Sequence, residues 1–211
     1  MSGDPGGDLD TVSNVLVLAP RLDGAGADAC ASLLVDGGDA LDRLVVVAVG
    51  QTPTEWHSRL TQHVTGTLPE IDYIDVKTLT RSTATSTETV DAPAPVATIS
   101  SPADLVSLGT AINDRLSAAA EQGEHVGLCL HSITDMLQFV DRESVFKFLH
   151  AVSARVRNVD AVAYYDLDND APDEKLETMF AHLCDTVVSV EGGEMSVSAG
   201  YYTPASSESE S

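Results

Sequence analysis

The chain contains few basic residues. Only 11 of its 211 residues are lysine or arginine, against 33 aspartates and glutamates, and the formal net charge is −22. Nucleic acids and anionic membrane surfaces are bound through clustered lysine and arginine side chains. The composition therefore excludes direct binding to nucleic acid and to membranes.

The excess of acid also points to a habitat. Acidic residues occur in every segment, lysine is limited to three positions, and the apolar residues are mostly alanine, valine and leucine. This combination is typical of proteins from organisms that accumulate molar salt, where repulsion between charges is screened beyond about 3 Å. We therefore predict a halophilic, archaeal type of protein. The alternative interpretation is an acidic interaction protein.

Cysteine and metal-binding patterns are scarce as well. The three cysteines, Cys30, Cys129 and Cys184, are odd in number and far apart, and the chain has no CxxC or HExxH pattern. Structural zinc sites and zinc-dependent hydrolases use such spacings. We expect no metal site.

Long apolar runs are missing too. No run approaches the roughly 18–20 residues that span a bilayer. Residues 1–8 lack the basic start and apolar core of a secretory signal. We expect a cytoplasmic protein.

Short apolar runs alternate with amphipathic segments along the chain. Such runs are typical of strands in a parallel sheet that is covered on both faces. Gly192-Gly193 predicts a hairpin turn between the last two strands. The predicted strands are Val15–Ala19, Leu44–Val49, Ile71–Val76, Val126–Leu130, Val159–Tyr165, Thr186–Glu191 and Glu194–Tyr201.

Helices are predicted between the strands. They span Ala25–Leu34, a segment opened by Thr52-Pro53, a segment from Ser101 to Gln122, Arg142–Arg155 and Glu174–Leu183. The alternation predicts a three-layer α/β domain with a mostly parallel sheet that ends in an antiparallel hairpin. We assign this domain to residues 14–202, with an exposed loop at 78–98. Residues 1–13 and the acidic residues 203–211 are predicted to be disordered tails.

The start of the domain carries the main resemblance to a known family. Asn14 to Val35 predicts a strand, a glycine-bearing turn and a helix, the frame in which many α/β proteins hold phosphate. With the strand that ends in His131-Ser132 and the terminal hairpin, it resembles the RecA-like ATPase core. The resemblance is to the KaiC/GvpD/Rad55-like group and its degenerate haloarchaeal relatives, and covers about Asn14 to Tyr201. It implies a RecA-like fold that binds ATP and magnesium in active members.

The phosphate-binding loop of that family is degenerate here. The motif reads GxxxxGK[ST]: backbone amides hold the phosphates, the lysine neutralises them and the hydroxyl binds magnesium. Aligned on this chain, Ala19 and Gly24 take the glycine positions. Ala25 takes the position of the lysine and Gly26 that of the hydroxyl residue. No lysine precedes Lys77, so no other frame restores the motif.

Other charge-handling positions also depart from the family. Asp23 places a negative charge inside the loop, and Arg21 is a cation that substitutes only in part for the lysine. His131 stands where the magnesium-supporting acid should end its strand, and Asp135, a few residues beyond the strand end, is poorly placed to replace that acid. Glu55 is the best candidate for activating water, but we interpret it as a charge in the first turn of a helix.

Two further patterns receive a structural interpretation. His131 and Ser132 suggest a catalytic relay with Asp135 or Asp166, but adjacent strand residues face opposite ways. The acidic run 166–173 superficially matches a calcium loop, yet lacks its glycine at position six and its glutamate at position twelve. We predict a solvated acidic loop.

The loss of lysine, hydroxyl and acid predicts a pseudo-ATPase with no catalytic residue and no cofactor. Family resemblance implies a role in regulation or signal transduction through a protein partner or self-association. The alternative is a divergent ATP-binding protein or ATPase that uses Arg21, magnesium and the amides of the loop after the first strand.

Overall fold

A computed structural model provides the structure of the protein. The predicted carboxyl-terminal tail, residues 1–11 of the predicted amino-terminal tail and most of the predicted 78–98 loop lie outside the residues it describes. The described residues are 12–21, 24–36, 41–63, 67–78, 96–169 and 174–201.

Within the described residues eight strands form one sheet, which confirms the predicted fold class. Their order is β4-β3-β2-β5-β6-β1-β7-β8, and every neighbouring pair is parallel except β7 and β8. The strands are β1 (Asn14–Ala19), β2 (Arg43–Val49), β3 (Glu70–Val76), β4 (Val96–Ile99), β5 (Val126–His131), β6 (Val162–Asp168), β7 (Thr186–Glu191) and β8 (Glu194–Ala199).

Helices cover both faces of the sheet. They are α1 (Ala25–Asp36), α2 (Pro53–His63), α3 (Leu105–Gln122), α4 (Ile133–Met136), α5 (Arg142–Asn158) and α6 (Glu174–Ala181). Apolar side chains of α1 and α2 pack in one core cluster, and those of α3, α5 and α6 pack in a second cluster on the opposite face. All six residues of β1 and of β5 are buried, as expected for central parallel strands. No helix among the described residues is long and apolar enough to cross a bilayer.

Local side-chain chemistry sets the helix ends. Asp104 caps α3 by accepting the Ser107 N–H, and Gly123 ends that helix with a left-handed φ of 70°. At α2 the Glu55 carboxylate accepts the Thr52 N–H at 2.6 Å, while the Glu55 N–H donates to the Thr52 hydroxyl. This reciprocal capping box confirms the interpretation of Glu55 as a first-turn helix charge.

Two element assignments made from the sequence are wrong. Residues 96–98 are not loop, because Val96–Ile99 forms the edge strand β4 beside β3. The sixth strand begins at Val162 and not at Val159, because α5 continues to Asn158 and the Val159 N–H still bonds to the Arg155 carbonyl. The strand also ends later than predicted. It continues through Asp166 to Asp168, which pair with β1 and which the sequence interpretation placed in a solvated loop.

Arg43 joins three strands at their amino-terminal ends. Its side chain is 13% exposed and donates to Glu124 at 2.6 Å, to Asp72 at 2.9 Å and to Glu70 at 3.1 Å. The hydrogen bond to Glu124, followed by that to Asp72, raises the pKa of the Arg43 guanidinium above its usual value. Three carboxylates that would otherwise repel one another are thus held by one cation.

We expect Arg43→Met to lower the free energy of unfolding by about 2–4 kcal/mol, because it leaves half-buried carboxylates without their cation. The loss should grow as salt is lowered, since repulsion among the acids is then less screened. Chemical denaturation at several salt concentrations measures both effects. Lys147→Met is the matched control: its ion pair with Glu143 is fully exposed, so it should leave stability unchanged. Equal effects of the two substitutions would contradict the structural role of Arg43.

Candidate functional site

A cavity of about 180 Å³ lies where the carboxyl ends of β1, β2, β5 and β6 meet. In open α/β sheets ligands bind outside the carboxyl ends of the strands, so this is the expected place for a site. The strand-to-helix turn that resembles a phosphate loop forms one wall. Lining residues include Ala19, Arg21, Gly24, Gly26, His131 and Asp166. Ala25 opens helix α1 beside this wall, and Asp23 lies outside the described residues.

A buried histidine–carboxylate pair forms the floor of the cavity. His131 ends β5 and Asp166 lies on the neighbouring strand β6; they are 8% and 5% exposed. His131 Nδ1 lies 2.5 Å from Asp166 Oδ2. The edge of the Trp56 ring packs on His131, with 5.6 Å between ring centroids. Asp166 is therefore part of the core of the site, and its placement in a solvated loop is wrong.

The Asp166 carboxylate also lies against the first turn of α1. A Cβ built on Gly26, the second residue of α1, would overlap both carboxylate oxygens of Asp166. Only a residue without a side chain fits there while Asp166 keeps its position. The amino terminus of a helix stabilises negative charge, so this contact is electrostatically favourable. A protein carboxylate thus lies at the helix terminus where phosphate-loop proteins place a phosphate.

Arg21 and Asp135 form a second pair at the mouth of the cavity. Arg21 Nη2 lies 2.6 Å from Asp135 Oδ1, and the side chains are 53% and 18% exposed. Gln138 also donates to that Asp135 oxygen at 2.9 Å. Asp135 lies in the short helix α4, which folds back toward the strand ends. Asp135 lies beyond the end of β5, as expected from the sequence, and it lines the cavity.

Sequence reasoning missed a second arginine beside the loop. Arg59 of α2 lies over Gly24, where a Cβ would overlap its guanidinium. Arg59 Nη1 also pairs with Asp28 of α1 at 2.7 Å. A residue 35 positions after Gly24 gives no local signal of this contact. It is visible only once α1 and α2 pack side by side.

Ser132, the serine that follows β5, has a structural role. The Ser132 hydroxyl accepts the Asp135 N–H as the cap of α4, at 3.4 Å, while His131 Nδ1 faces Asp166. Among the described residues no group of three or more histidine, cysteine, aspartate or glutamate side chains is arranged to hold a metal ion.

The three cysteines are buried and free. The hydrogen bond with Cys129 and burial raise the pKa of Cys30 well above its ordinary value. Burial raises the pKa of Cys184 to about 12. The thiols of Cys30 and Cys184 are therefore protonated near neutral pH and unsuited to nucleophilic or metal chemistry.

Solved structures with the same architecture share little sequence with this chain. The Pyrococcus horikoshii OT3 protein PH0250 has a TM-score of 0.57 at 12% identity, over 92% of this chain and 89% of that one. Pyrococcus horikoshii PH0321, solved in complex with an unknown peptide, has a TM-score of 0.55 at 11% identity, over 88% and 81%.

An enzyme is also among the similar structures. An ATPase from the type III secretion system of pathogenic bacteria has a TM-score of 0.51 at 13% identity, over 85% of this chain. This chain spans about half of that ATPase, 51% of its length. At these identities the likeness concerns the fold alone, and it supports a RecA-like architecture.

A search of curated proteins finds no match. A family model does match, and it covers residues 12–190, from just before β1 to near the end of β7. The chain therefore belongs to the family of unknown function DUF7504.

Proposed function

We propose that this domain is a RecA-like module that does not hydrolyse nucleotide and acts in regulation or signalling through protein contacts. The observation that carries the proposal is the position of the Asp166 carboxylate, which lies 2.5 Å from His131 Nδ1 and against Gly26 at the start of α1. The helix terminus that would receive a phosphate already has an anion beside it.

Electrostatics oppose a phosphate in this cavity. Two unit charges 4 Å apart repel by about 4 kcal/mol at an effective dielectric constant of about 20. Asp135, Asp166 and Asp168 all line the cavity, whereas the arginine that lines it, Arg21, is paired with Asp135. An incoming phosphate would have to break one of these pairs to gain a cation.

The catalytic groups are also replaced. Ala25 stands for the lysine, Gly26 for the magnesium-binding hydroxyl and His131 for the acid. Electrostatic groups of this kind are each worth several kcal/mol to a transition state. The loss of all three removes the groups with which the family stabilises charge on a transferring phosphoryl group.

The remaining role is contact with other proteins. A RecA-like fold whose site lacks its phosphate-handling groups still presents a rigid surface, and PH0321 was solved with a peptide. Analogy with the fold, together with a site that lacks the lysine, hydroxyl and acid, supports a regulatory or signalling role.

The second candidate function is nucleotide binding through arginine. Arg21 is 53% exposed and lines the cavity, and Arg59 lies over Gly24. A divergent ATP-binding protein would use these cations together with the loop amides.

Titration with a fluorescent ATP analogue and magnesium in molar salt separates the two functions. We expect no saturable binding, because the cavity is acidic and Arg21 is paired with Asp135. Magnesium-dependent binding in the micromolar range would overturn the proposal. In that case Arg21→Ala should abolish binding, whereas Lys147→Ala, which removes the same charge from a distant exposed position, should not.

The contact between Gly26 and Asp166 is tested by a double-mutant cycle. We expect Gly26→Ala to destabilise the protein by about 1–3 kcal/mol, because the new methyl group displaces the carboxylate from His131. In an Asp166→Ala background the same change should be neutral or stabilising, since alanine is the better helix former by about 1 kcal/mol. Chemical denaturation of the four proteins gives the coupling free energy.

Gly109→Ala is the matched control for this cycle. A Cβ on this α3 glycine would meet Phe148 only at 3.5 Å, an ordinary contact, so the substitution should not destabilise. An equal cost of Gly26→Ala in both backgrounds would show that Asp166 does not occupy the helix terminus.

A further inference from the structure

Strand β8 ends the sheet on one side. Among the strands that the structure describes it has β7 as its one neighbour. The Gly200 N–H bonds to the Asp185 carbonyl at 2.8 Å, and the turn pairs Glu191 with Glu194. Hydrogen-bonded pairs alternate along an antiparallel ladder. The outer edge therefore carries the backbone N–H and C=O groups of Met195, Val197 and Ala199.

This edge lacks the usual protection against pairing. Natural edge strands are kept short or carry lysine, proline or bulges. The other edge strand, β4, has only four residues. In contrast, β8 has six residues, an unbroken register with β7 and one charged side chain, Glu194, at its first position. A six-residue edge strand with a single charged side chain is unusual in a chain of net charge −22.

The two faces of β8 differ in character. Met195 and Val197 are half-buried and pack against the core cluster on the α1 side of the sheet. Ser196 and Ser198 lie on the opposite face and are exposed. An added strand would therefore continue an apolar row on one face and a small polar row on the other.

We propose that β8 pairs antiparallel with β8 of a second copy of this chain, around a two-fold axis at Val197. In this register Val197 lies opposite its own counterpart, and Met195 lies opposite Ala199. The three outward-facing residues of each strand then exchange about six backbone hydrogen bonds across the axis. The apolar row of one copy meets the apolar row of the other, as a two-fold interface requires.

Charge selects a second copy as the occupant. The acid of each strand, Glu194, lies opposite the uncharged Gly200 of the other copy, so no acid opposes an acid. The two Glu194 residues are about 20 Å apart, six residues along the ladder. A strand from another acidic protein would in most cases place carboxylates opposite the middle of this edge.

Salt controls the association. Each copy carries a net charge of −22, so the copies repel at low ionic strength. At about 1 M salt the screening length falls to about 3 Å and the edges can meet. The pairing supplies one partner for the contact-based role proposed above. The pairing does not involve the cavity. A negative result in the dimer experiments below therefore leaves the nucleotide titration unaffected, and the reverse also holds.

Size-exclusion chromatography with light scattering tests the pairing. In molar potassium chloride we expect a species of twice 22.2 kDa, shifting toward monomer as salt is lowered. Val197→Pro removes an outward N–H and should yield monomer, because proline at such a position blocks the edge without breaking a bond to β7. Val197→Thr keeps the N–H and should keep the dimer.

A spin label at Glu194→Cys tests the register, and does so even if Val197→Pro fails to fold. The native cysteines are buried and should take no label, as the unsubstituted protein will show. Dipolar spectroscopy should give a distance that corresponds to about 20 Å between the labelled backbone positions. A monomer at all salt concentrations, a dimer that survives in folded Val197→Pro, or a clearly different label distance would each overturn the proposal.

Discussion

Pairing of carboxylates with very few cations is the constraint on which this structure depends. The chain has one basic residue for every three acids, so a carboxylate that is withdrawn from solvent needs a cation from another element. Arg43 serves the starts of β2, β3 and β5, and Arg59 joins α2 to α1. Asp185 accepts the N–H groups of Ser13 and Asn14 and pairs with Arg157 of α5. These few cations connect elements that are distant in sequence, which leaves the acidic surface to solvent.

The fold was largely predictable because its signals are local. Continuous apolar runs identify buried parallel strands, Gly192-Gly193 identifies the hairpin, and Thr52 with Glu55 marks the start of α2. Element boundaries were harder to predict. An apolar residue such as Val159 fits the end of a helix as well as the start of a strand. The short strand β4 gave no signal, since four residues with two exposed side chains resemble a loop.

The site was predictable only in part. The missing lysine, hydroxyl and acid can be read directly from Ala25, Gly26 and His131. The carboxylate that lies at the helix terminus instead cannot be read from the sequence. Asp166 reaches Gly26 only through the pairing of β6 with β1 and the docking of α1 on that sheet. A periodicity argument assigns a run of alternating aspartates to solvent. Three-dimensional packing instead takes one of them into the core and supplies it with a histidine.

Trp56 gives the buried pair a further property. It is the chain's single tryptophan, it is fully buried, and the edge of its ring packs on His131. Indole emission depends on the charge and polarity of the groups in contact with the ring. The protein thus contains its own optical reporter, placed beside the pair that fills the helix terminus. We expect the wavelength and intensity of Trp56 emission to change when the contact between His131 and Asp166 changes, without any added probe.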